Sequence, residues 1–136
     1  MSAGTESFYE TTTSRPFAEA RKRVEEKAGL ENFRVLHVHD VQATLREKGF
    51  DVGPTVIVVV CNAKTAAEAL QADPRSALLM PCKVVVQEKE GQVMLSTFLP
   101  ESLVEGESLK NLARQVGTRL MSLVDTAAAV PSCCAL

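Results

Sequence analysis

Thr55-Val56-Ile57-Val58-Val59-Val60-Cys61 is almost unbroken in β-branched and apolar side chains, and no other stretch limits the fold of this chain so tightly. Side chains branched at Cβ lose rotamer freedom in a helix and fit a pleated surface well, so the run reads as a strand. Because it is continuous and not alternating, it suits a strand covered on both faces or set centrally in a sheet. It is far shorter than the roughly 20 residues a helix needs to cross a bilayer. The rest of the chain must therefore supply partner strands and helices to cover them.

The flanking segments do so in a regular order. Ser7 to Thr13 has the aromatic and β-branched content of a first strand. Ser14 then offers an N-cap, with Pro16 in the first turn, Phe17, Ala20, Val24 and Ala28 at helical spacing, and Gly29 past the end. Phe33 to His39 reads as a second strand, after which Asp40 caps a short helix through Val41 and Leu45 that Gly49 ends. Beyond the valine run, Asn62 caps a third helix whose apolar side is the small residues Ala66 and Ala67 with Leu70, so close approach to a sheet is expected. Asp73-Pro74 stops it.

Lys83 to Glu88 and Gln92 to Phe98 flank Lys89-Glu90-Gly91, which marks an antiparallel hairpin. From Ser108 onward, Leu109, Leu112, Val116, Leu120, Leu123 and Val124 recur at three- and four-residue steps, a long C-terminal helix whose stripe needs a sheet. The order β-α-β-α-β-α-β-β-α defines an α+β domain with a mixed or mainly antiparallel sheet of about five strands and helices packed against it. One domain is expected over residues 6–126, between a short N-terminal tail, 1–5, and a C-terminal tail, 127–136, that loses its period at Pro131.

Charge narrows the partners. Fifteen Lys and Arg are dispersed among seventeen Asp and Glu, so no basic stripe is available for a phosphate backbone, and nucleic acid is not expected as a partner. The densest basic run, Arg21-Lys22-Arg23, is followed at once by Glu25 and Glu26, as on the solvated face of a helix. Met1 to Ala20 holds no apolar core of a signal peptide, which gives a cytoplasmic expectation with no membrane partner.

Sharp catalytic and cofactor signatures are missing from the sequence: it has no Gly-rich phosphate loop, no HExxH, no CxxC and no GxSxG. An enzyme is therefore the less favoured reading, and no cofactor is named. His37 and His39 are the only histidines. Two residues apart on a strand, their rings share one face, a weak candidate metal or haem site if Cys61 or Cys82 lies opposite, or else a pair of half-buried histidines at a strand end.

Cys61 precedes the Asn62 cap and Cys82 follows Pro81. A helix N-terminus or open backbone amides there could favour a thiolate, whereas a free cysteine is also a small apolar filler. Cys61, Asn62, Pro81 and Cys82 form the candidate ligand site, with Cys82 the more accessible thiol. Cys133 and Cys134 are a tail dithiol able to take up soft metal or sulfur, or an end without a role. Their spacing to Leu136 has the length of a prenylation signal, without the polybasic flank that usually accompanies one.

One stretch carries a resemblance. Val59-Val60-Cys61-Asn62-Ala63, continuing through Ala66-Ala67 to Leu79-Met80-Pro81-Cys82-Lys83-Val84-Val85-Val86, resembles the bacterial family called domain of unknown function 302. That family's pattern ends a strand in Cys-Asn, follows with an Ala-rich helix and returns through a Leu-Pro-Cys-like turn into a strand. Met80 stands in the leucine's place, and Ala63 where the family often has proline. The resemblance implies a compact α+β domain, often self-associating, with no established catalytic residues and with relatives that accompany sulfur-handling or metal-handling proteins. The expectation is a small binding or interaction protein, homo-oligomeric, with a small molecule or sulfur species as partner. The alternatives are a thiol-dependent sulfur carrier or transferase, and a metal or haem binder using His37 and His39.

Overall fold

The valine run forms a strand, β3 (Thr55–Cys61), in the computed structural model, which describes residues 7–131. With β1 (Phe8–Thr13), β2 (Arg34–Asp40), β4 (Cys82–Lys89) and β5 (Gln92–Phe98) it builds one sheet in the order β1-β5-β4-β3-β2. Every neighbouring pair is antiparallel. β4 and β5 are joined by two residues, Glu90 and Gly91, with φ of 54° and 79°. Positive φ at both positions matches the right-handed twist of the flanking strands, and glycine adopts it without a Cβ penalty.

β3 is an inner strand, as its composition implies, but its two faces differ. Val56, Val58 and Val60 are fully buried, whereas Ile57 and Val59 are half-exposed. The helices α1 (Phe17–Lys27) and α4 (Glu107–Ala128) lie side by side on the first face, α1 over β3 and β4 and α4 over β1 and β5. Ala20 and Val24 from α1, and Val116, Leu120, Leu123, Val124 and Ala127 from α4, close the core against Val56, Val58, Val60, Val84, Val86 and Leu95. Of the two settings that suit such a run, β3 takes the central one, with helices on one face.

Helix boundaries follow local chemistry. α1 begins at Phe17 with Pro16 as its N-cap in place of Ser14, since Pro16 combines its ring-fixed φ of −60° with an extended ψ of 153° just before the first turn. α2 (Val41–Arg46) is capped by Asp40, whose carboxylate accepts from the Ala43 amide at 3.0 Å. α4 continues to Ala128, two residues into the stretch read as tail, with Ala127 fully buried. Arginines from the other end of the chain satisfy its last carbonyls: Arg23 donates to Ala127 O at 3.0 Å and Thr126 O at 2.7 Å, and Arg15 to Ala129 O at 2.6 Å. Cations at a helix C-terminus also complement its dipole. Arg23 is therefore a capping residue and not part of a merely solvated face.

The third helix, α3 (Ala63–Ala72), packs on α4 and on the 3₁₀ turn Pro74–Leu79, not closely on the sheet. No helix among the described residues is long and apolar enough to cross a membrane.

Candidate functional site

Displacement of α3 from the sheet opens a pocket. Asn62 fixes the start of α3: its Oδ1 accepts from the Thr65 amide at 3.0 Å, and its Nδ2 donates to Asn32 O at 3.1 Å. After α3 the chain turns through Pro74–Leu79, begun by Asp73, whose carboxylate accepts from the Arg75 amide at 2.9 Å. It returns through Met80 and Pro81 to Cys82, the first residue of β4. The N-terminal half of α4 closes the far side with Leu109, Leu112, Ala113 and Val116.

The pocket holds about 80 Å³ and is open to solvent. An engineered cavity of ~150 Å³ holds one benzene. By that scale this one takes a group of about three or four heavy atoms, and the rest of a larger ligand would extend through the mouth. Its wall is almost wholly apolar, and the two thiols of Cys61 and Cys82 are its only ionisable groups. Asn62 lines it with both ends of its amide already committed to backbone. The hydroxyl of Ser76, in the same wall, is buried without a hydrogen-bond partner.

The Cys82 thiol is pushed up to about 11, chiefly by burial and further by neighbouring Cys61, with Lys83 opposing. A thiol so placed is about one part in ten thousand thiolate at neutral pH. The strand start after Pro81 therefore protects the protonated form instead of favouring the thiolate. Arg34, directly across β2 from Cys61, does not face the pocket.

Cys61, Asn62, Pro81 and Cys82, distant in sequence, all line this one cavity. His37 and His39 do share a face, their ring centroids 6.2 Å apart with planes 19° from parallel. They are not brought to the cysteines. Register sets His37 opposite Val59 and His39 opposite Ile57, on the face away from the helices, whereas Cys82 lies opposite Val60 on the helix face. Among the described residues no group of three or more His, Cys, Asp or Glu is placed to hold a metal ion. Cys133 and Cys134 lie outside the described residues.

Leu109 and Leu112 were expected on the sheet-covering stripe and instead wall the pocket. The available signal was the pairing of small residues, Ala66 and Ala69 on α3 with Ala113 on α4. Small side chains let elements approach closely or, where a turn props them apart, leave space.

The geometry meets a known family here. The family described as Domain of unknown function DUF302 matches residues 9–127, which include every residue of the pocket. The chain belongs to this family. A crystal structure of an uncharacterized conserved DUF302 protein from Bacillus stearothermophilus is similar, with 32% sequence identity and a TM-score of 0.83. The match covers 88% of this chain and 97% of that one. No curated protein matches.

Proposed function

We propose that this DUF302 protein is a small-molecule binding protein, taking a short apolar group into the cavity between α3, the Pro74–Leu79 turn and α4. The observation that carries the reading is an open cavity of about 80 Å³ whose wall is apolar and whose only ionisable groups are two thiols. Apolar pockets with few polar groups are the usual form of ligand sites. Acid-base catalysis needs a titratable group near its working pH within reach of substrate, and the wall holds no His, Asp, Glu or Lys. A thiol held at about 11 is a poor sulfur nucleophile, which favours binding over sulfur carriage. Free Cys61 and Cys82 accord with a reducing, cytoplasmic setting.

Titration of ¹⁵N-labelled protein with cyclopropane and with acetone tests this. Saturable amide shifts confined to residues 61–69, 76–82 and 109–116 are expected, and Ala66→Leu, which fills the cavity from a half-exposed position, should abolish them. Shifts elsewhere, or binding unchanged in the filled variant, would refute the site.

A further inference from the structure

Among the described residues, the Ser76 hydroxyl is the single buried side-chain nitrogen or oxygen with no hydrogen-bond partner in the chain. The residue is 8% exposed and lines the pocket. Buried polar atoms are nearly always paired, because an unmet donor bears the full loss of its hydration, so an exception calls for a cause.

The turn around Ser76 explains why its own chain supplies no partner. Ser76 is third in the Pro74–Leu79 turn, and its amide donates to Asp73 O at 2.9 Å. Asp73, the only acidic residue in or beside that turn, has its carboxylate held by Arg75: it accepts from the Arg75 amide at 2.9 Å, from Nε at 3.3 Å and from Nη2 at 3.0 Å. In the rest of the wall, Ala66, Ala69, Leu109, Leu112 and Val116 have no side-chain acceptor. Asn62 has its amide bound to Thr65 and Asn32, and thiols are weak in both roles.

We infer that the Ser76 hydroxyl is the polar contact of this site, donating to a neutral carbonyl oxygen, and that the ligand class is short carbonyl compounds with no N–H or O–H of their own. The inference rests on the reading of the pocket as a ligand site. Charge and hydrogen counting select the carbonyl. The wall has no Lys, Arg, His, Asp or Glu, so a carboxylate or ammonium would lose its hydration without a counter-charge. A hydrocarbon leaves the hydroxyl as unmet as before. An alcohol brings a hydrogen of its own: one bond between two hydroxyls leaves one hydrogen over, whichever of them donates, and it must find a second acceptor in a wall almost wholly apolar. A carbonyl leaves none. Rotation about χ1 carries Oγ between staggered positions with the backbone fixed, so the hydroxyl can turn to a guest in the pocket.

The test uses three probes of similar shape: acetone, 2-methylpropene, in which =CH₂ replaces the oxygen, and propan-2-ol. Each is titrated into ¹⁵N-labelled wild type, Ser76→Ala and the filled variant Ala66→Leu. Ser76→Ala should weaken acetone roughly 3- to 10-fold, the net worth of one neutral hydrogen bond, and leave 2-methylpropene within about twofold. Wild type should take acetone more tightly than propan-2-ol. Without any ligand, Ser76→Ala should be no less stable than wild type to urea, because the hydroxyl removed has no partner to lose. Acetone binding indifferent to Ser76→Ala, while Ala66→Leu still blocks it, overturns the carbonyl assignment and leaves the pocket as a ligand site. Propan-2-ol bound as tightly as acetone also overturns it, as does a lower urea midpoint for Ser76→Ala, which would show the hydroxyl already paired. If none of the three probes binds wild type, the assignment and the ligand site fall together.

Discussion

Raising the pH from 8 to 11 should weaken this protein in a way traceable to one thiol. Cys82 has its folded-state pKa lifted from the ordinary 9.0 to about 11, so the native state holds that proton more tightly than the unfolded chain does. At pH 8 both states are protonated and the group makes no difference to stability. Between pH 9 and 11 the unfolded chain releases the proton and the native state does not, so stability falls as pH rises through that window. Two pKa units at 1.36 kcal/mol each set the loss at about 2–3 kcal/mol, an order-of-magnitude figure.

Other groups titrate in the same window; Tyr9 also has its pKa raised, first by its hydrogen bond to Asp125 and then by burial. The Cys82→Ser variant removes only the thiol. The comparison is therefore urea unfolding of wild type and Cys82→Ser at matched pH values, with the difference between them plotted against pH. Wild type should lose about 2–3 kcal/mol more than the variant between pH 9 and 11. Iodoacetamide gives an independent reading, since the native thiol at pH 8 should react about a hundredfold more slowly than in urea from ionisation alone. Parallel pH curves, or native Cys82 alkylated as fast as unfolded Cys82, would show that burial does not hold the thiol protonated.

Leu120→Ala, at a position with no exposure between the helices and the sheet, should cost about 2–5 kcal/mol by urea unfolding. Asn62→Ala removes the α3 cap and the tie to Asn32 together and should cost roughly 1–2 kcal/mol, read from the shift of the urea midpoint. A chain ending at Glu107 loses Val116, Leu120, Leu123 and Val124 from the core, about 6–12 kcal/mol of burial against a typical total of about 5–15. It should show no cooperative thermal transition by circular dichroism.

Strand and helix content was legible because each element carries its own period. The β3 valines, the Glu90-Gly91 hairpin and the α4 stripe each state their structure within a few neighbouring residues. What escaped depends on elements far apart in the chain. The end of α4 is fixed by Arg15 and Arg23, more than a hundred positions upstream, which a local reading of Ala127-Ala128-Ala129 cannot contain. The pocket is similar: Cys61, Asn62, Pro81 and Cys82 lie at element junctions, and junctions gather at the end of a sheet. That reasoning finds the neighbourhood but not the displacement of α3, which is set by the Pro74–Leu79 turn, a 3₁₀ segment with no apolar period of its own.

The β3 run also shows why an apolar strand does not report how many of its faces are covered by its own chain. Strand geometry sends alternate residues to opposite faces, so Val56, Val58 and Val60 are buried beneath α1 and α4, while Ile57 and Val59 stay half-exposed on the other face. Both sets are β-branched, and the pleat accepts them equally whether they are buried or half-exposed. The same alternation divides β4. Cys82, Val84 and Val86 face the helices, with Cys82 reaching the pocket, while Lys83, Val85 and Gln87 belong to the outer face. Adjacent positions on one strand thus face two separate surfaces, so Cys82→Ser alters the wall of the pocket while a substitution at Lys83 alters only the outer face.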